Sequence, residues 1–176
     1  MKALLATIRT AFRRQLTYRA ANIAGLATNL AFGFFRAAVL TALYRDQTVI
    51  NGLSIQGAVT YAGFTQALIG FLSFFHWYEM MQTVYDGQVG SDLLKPQNFF
   101  LYWLGVDTGR ALGSILIRSI PLFLVFSLFY RIVLPQSVLQ WAALLLSLLF
   151  SHLISFGWRF LVNLASFWTP KALGIG

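Results

Sequence analysis

Residues 20–44 read AANIAGLATNLAFGFFRAAVLTALY, an apolar run from Ala20 to Tyr44 interrupted by one charge, Arg36. An α-helix rises about 1.5 Å per residue, so some 20 apolar residues cross a hydrocarbon layer of about 30 Å. This run is long enough. Three more follow, at about 58–81, 111–130 and 138–162. The runs are continuous and do not alternate with period two, which favours helices over a barrel. The expected fold is therefore an all-α, polytopic membrane protein with four transmembrane helices.

Composition agrees. Of 176 residues, 58% are hydrophobic and 10% charged, with a mean hydropathy of +0.69. A soluble domain carries about 25% charged residues, and a disordered chain needs more charge and less apolar content. Cysteine is absent, which excludes disulfides and thiolate metal sites.

The net charge is +8, from 13 basic and five acidic residues. Lys2, Arg9, Arg13, Arg14 and Arg19 crowd the start, and the other cations sit singly near the edges of apolar runs. That is juxtamembrane charge; without a basic stripe or a reader motif, no nucleic-acid partner is expected. Placing the N-terminus inside puts those five cations with Lys95, Arg110, Arg159 and Lys171, against Arg45 and Arg131 outside. The positive-inside rule thus predicts both termini in the cytoplasm. A cleaved signal peptide is disfavoured, because a signal core runs about 7–15 residues.

Residues 2–19 place Leu5, Ile8, Phe12 and Leu16 at helical spacing, with Arg9, Arg13 and Arg14 mostly off that stripe. The pattern predicts an interfacial helix over 1–19, apolar face on the membrane and cations near anionic head groups, as against a solvated basic tail. Residues 45–57 form a short outer loop punctuated by Gly52 and Gly57.

The stretch after the second run reads VYDGQVGSDLLKPQNFF, from Val84 to Phe100. Gly87 and Gly90 break the helix, Ser91 suits the cap of a short new one through Asp92, Leu93, Leu94 and Lys95, and Pro96 ends it or starts the next. Exposed leucines rimmed by polar residues mark an interaction surface; the plainer reading lets them dip into the bilayer. Beyond it, Gly105, Gly109 and Gly113 share one helix face that admits a close neighbouring backbone, and Asp107 and Arg110 are spaced to pair.

Four segments carry a family resemblance: Phe12 with Tyr18–Ala20, GLSIQGAVTY ending at Tyr61, YDGQVGSDLLKP at Tyr85–Pro96, and ASFW at Ala165–Trp168. Across about 5–176 the chain resembles the permease subunits of ABC-2 type ABC transporters. The resemblance implies an ATP-driven exporter, with 20–176 as the permease domain. A coupling loop at about 84–98 would carry Gly87, Gly90, Asp92, Leu93, Leu94 and Pro96. It implies a separate cytoplasmic ATPase that binds the ATP and Mg, a second permease subunit, identical or homologous, and the bacterial inner membrane. Family members continue through two more helices than the four read here. The alternative is a non-transporting scaffold or assembly subunit with the same topology.

No GxxxxGK[ST] is present, so any ATP hydrolysis belongs to a partner. His76 and Glu79 lack a third metal ligand, and His152 lacks a nucleophile turn, so no catalytic or metal site is expected in this chain. Arg36 and Arg118 fall inside apolar runs, where an arginine costs about 2.5–3.5 kcal/mol on insertion scales. They either line a cavity for an anionic substrate or lipid head group, or snorkel. Pro121 suggests a kink. Ser147, Ser151, Ser155, Arg159 and Asn163 step by four along one stripe, which faces other helices or a translocation path.

Overall fold

The computed structural model describes residues 2–45, 47–73 and 77–169. Two residues read above, His76 and Lys171, lie outside that set. Among the described residues, three helices are long and apolar enough to cross a membrane: Arg19–Tyr44, Phe99–Phe129 and Val138–Phe167. The run expected at 58–81 is not among them.

Helix α1 (Lys2–Thr17) stops at Tyr18, whose non-helical backbone separates it from α2 (Arg19–Tyr44). A two-residue hairpin follows, β1 (Val49–Ile50) paired antiparallel with β2 (Leu53–Ser54). Its turn is Asn51–Gly52, both with positive φ, the conformation that suits the strands' right-handed twist. Ser54 then caps α3 (Ile55–Leu72), its hydroxyl accepting from the Gly57 nitrogen at 3.1 Å.

Among the described residues, two helices rather than one carry the run expected at 58–81. Helix α3 ends at Leu72, Ser73 turns left-handed at φ 45°, and a separate helix, α4 (Glu79–Tyr85), starts beyond. At 18 residues α3 is about 27 Å long. The five-residue α5 (Val89–Leu93) comes next. Ser91 is not its cap but lies within it, and its hydroxyl donates to the Gln88 carbonyl.

The helix that contains the third expected span begins at Phe99, twelve residues before that span's expected start, and runs to Phe129 as α6 (Phe99–Ser114), a π-helical segment (Ile115–Ser119) and α7 (Ile120–Phe129). Asn98 sets the start, accepting from the Leu101 nitrogen at 3.1 Å. The π segment widens the turn before Pro121, with the Ile120 nitrogen reaching back to the Ile115 carbonyl. This is how the helix absorbs a residue that lacks a donor and crowds the preceding turn.

Helix α1 packs lengthwise along α6. A methyl group at Gly109 would lie 2.7 Å from Ala11 Cβ and 2.9 Å from the Phe12 nitrogen, and closer still to the Ile8 carbonyl oxygen. Gly105 and Gly113 flank it against Leu4 and Gln15. Ile8 and Phe12 of the expected apolar stripe are thus spent on α6, while Leu5 and Leu16 stay exposed. The last long helix, α8 (Val138–Leu164), ends in a short 3₁₀ turn through Phe167. One apolar core gathers Trp77, Met80, Trp103 and Phe156; another gathers Ala37, Val59 and Phe126.

Candidate functional site

The interruption between α3 and α4 leaves helix-end carbonyls and amides without intrahelical partners, a serious cost away from water. Side chains from α6 and α8 meet them. Arg110 donates to the Gly70 and Phe71 carbonyls at 3.0 and 3.2 Å, and the Ser155 hydroxyl donates to that of Leu72 at 2.6 Å. On the far side, Asn163 accepts from the Met81 nitrogen and donates to the Trp77 carbonyl, both at 2.9 Å. Two helices distant in sequence therefore supply the partners on both sides of the interruption.

Asp107 is the hub and is 0% exposed. Arg159, itself 2% exposed, grips both its oxygens at 2.8 Å, and Arg110 Nε donates to it at 2.9 Å. Such a two-pronged, charge-assisted pairing is the strong form of the interaction. His152 Nδ1 lies 3.8 Å from Asp107, beyond hydrogen-bond length; its other nitrogen shares a hydrogen bond with Thr108, and its ring stacks on Phe71. The Arg159 guanidinium also lies over Trp77, 5.5 Å from the ring centre.

The stripe read along α8 divides accordingly. Ser155 and Arg159 are buried, Ser151 is half-buried and Ser147 is exposed. Arg36 lies on the exposed face of α2 and has no polar partner among the described residues. Arg118 is half-buried and donates to Asn22 Oδ1 at 3.0 Å, with its guanidinium against Gly25.

The loop after α4 is an exposed platform. Gly87 turns it at φ +73°; Gly90, Leu93, Leu94 and Pro96 are all exposed, Leu93 by 58% and Leu94 by 87%. Asp92 is half-buried and pairs with Lys95 at 2.5 Å, and this hydrogen bond holds the Lys95 ammonium above its ordinary pKa. Arg14 of α1 donates through both terminal nitrogens to Glu79 of α4, at 2.6 Å each, which likewise raises the guanidinium's pKa. That pair ties the N-terminal helix to the element leading into the platform.

Reading the sequence found the Asp107–Arg110 pair but missed Arg159 as the acid's main partner. The available signal was stoichiometric: a single acid inside an apolar stretch, with a cation on the only strongly polar helical stripe. Asn22 and Ser114, the neighbours of Arg118, left no signal at all.

A family model described as ABC-2 family transporter protein matches residues 30–175. No curated protein and no solved structure matches the chain.

Proposed function

We propose that this chain, which belongs to the ABC-2 family of transporter proteins, is the membrane permease subunit of an ATP-driven exporter whose ATP is hydrolysed by a separate cytoplasmic subunit docking on residues 84–98. The carrying observation is the exposed Leu93–Leu94 platform at the end of α4. Apolar side chains offered to water beside paired charges suit a protein partner. The platform is not a loose tether. Force on α5 passes to α4, and α4 is fastened to α8 through Met81 and Asn163. Closure of the ATPase would thereby move α8 relative to α3.

The orientation follows the basic residues, with α1 and the platform in the cytoplasm and the Asn51–Gly52 hairpin outside, in the bacterial inner membrane. The Arg14–Glu79 pair supports a shared side for α1 and α4. Helix α3, at 18 residues, falls within the range of about 17–25 that spans a bilayer, and serves as the short second crossing. A second permease, identical or homologous, completes the transport path.

The test is Leu93→Asp with Leu94→Asp. Loss of ATPase co-purification and of transport, with normal membrane insertion, is the expected result. If association and transport survive, the platform is not the docking site. Cysteines placed at 87–94 that react only with reagents added from the periplasm would reverse the topology and end the proposal.

A further inference from the structure

Three arginines, Arg110, Arg118 and Arg159, converge on this half of the molecule, and one carboxylate, Asp107, answers them. Asp107 is fully engaged by Arg110 and Arg159. Among the described residues Arg118 receives no acid: its Nε is buried without a hydrogen-bond acceptor, and Asn22 supplies a single neutral oxygen. Beside it the Ser114 hydroxyl, in a residue 1% exposed, is also without a partner among the described residues.

Both groups border a cavity of about 530 Å³, whose other polar walls are Gln15, Thr65, Ser73 and Arg110. No carboxylate lines it. A desolvated guanidinium without a counter-charge is expensive in a low-dielectric setting, so the cavity wants an anion.

Depth says what kind. Arg118 reaches Asn22 and Gly25, in the first two turns of α2. At 26 residues α2 is about 39 Å long, more than the roughly 30 Å hydrocarbon layer, so its first turns lie at head-group level. Helix α6 and the π segment carry Arg118 to that level rather than to the bilayer centre.

We propose that this cavity is a binding site for a phosphate-bearing anion, with Arg118 as its counter-charge and Ser114 as a second donor. The shared chemistry is a phosphate oxygen, supplied by an anionic lipid head group or by a soluble phosphorylated compound.

The experiment uses the full chain purified in a nonionic detergent, with binding followed by native mass spectrometry and thermal unfolding. The probes are dioctanoyl phosphatidylglycerol, dioctanoyl phosphatidylcholine and inorganic phosphate. The anionic lipid should bind saturably and raise the unfolding temperature, while the zwitterionic lipid does so at least tenfold more weakly. Arg118→Gln should weaken the anionic lipid about tenfold or more, the scale of a lost charge-assisted hydrogen bond. Arg36→Gln, which removes an exposed arginine, should leave binding unchanged. Inorganic phosphate matching the lipid would identify a soluble anion as the source; phosphate without effect would identify the lipid. Should Arg118→Gln not fold, Arg118→Lys and Ser114→Ala take its place, each with a loss of about threefold or more, since an ammonium keeps the charge but not the planar fork. Equal binding of both lipids, no binding by any anionic probe, or unaltered binding in these Arg118 and Ser114 variants overturns the proposal.

Discussion

The two halves of α8 are built on opposite rules. From Val138 to Phe150 every residue but Leu144 and Leu148 is exposed, and nearly all are apolar. From His152 to Asn163 the buried positions are His152, Ser155, Phe156, Arg159 and Asn163, four of them polar. The helix is therefore inside out relative to a soluble one: its greasy half faces outward and its polar half inward. The difference teaches where cohesion resides. Lipid tails are as apolar as leucine, so the outer half gains little from packing, and the inner half is held by matched charges and hydrogen bonds.

The sharpest way to break this contrast is Asp107→Ala. It strands the Arg159 guanidinium in a buried site, and removing one partner of such a pair costs about 3–5 kcal/mol. Folded yield in detergent should collapse, and if thermal unfolding is unchanged the inner half is not held by this pair. Gly109→Val comes next. The side chain has no room against the Ile8 and Phe12 backbone and the Ala11 Cβ, so α1 should detach from α6; a cysteine pair at positions 4 and 105 would then stop cross-linking. Asn163→Leu keeps most of the volume but orphans the Met81 amide and the Trp77 carbonyl, for a loss of about 1–3 kcal/mol for each buried group left unsatisfied. Arg14→Gln removes an exposed pair and should cost about 0–1 kcal/mol, less at high salt. Leu146→Ala in the outer half should stay within about 0.5 kcal/mol of the parent, as an exposed change away from any special feature does. A larger loss there would mean that the outer half is a packed interface after all.

The first and last long helices were legible from the sequence because their apolar runs carry no competing signal. The break in the second apolar run was not. Residues 58–81 are mostly apolar, and no proline or positive-φ glycine marks the stop at Leu72, where Ser73 takes the left-handed turn. The stop is maintained by Arg110, Ser155 and Asn163, which lie 39 to 86 positions away from the backbone groups they satisfy. Local pattern has no access to such partners. The third long helix starts earlier than the apolar run at 111–130, because Asn98 caps it and Asp107 and Arg110, which interrupt the apolar pattern, find partners within the fold. The i,i+4 stripe on α8 was visible; the single acid it closes upon, 52 residues earlier, was not.

The π segment at Ile115–Ser119 inserts a surplus residue between the face of α6 that receives α1 and the face of α7 that delivers Phe126 against Gly63. Each residue turns an α-helix by about 100°. Rewinding the segment as ordinary α-helix with all its residues kept would therefore turn α7 about its axis and carry Phe126 out of its slot, so the bulge works as a phase adjuster that lets one continuous rod address two neighbours from different compass bearings.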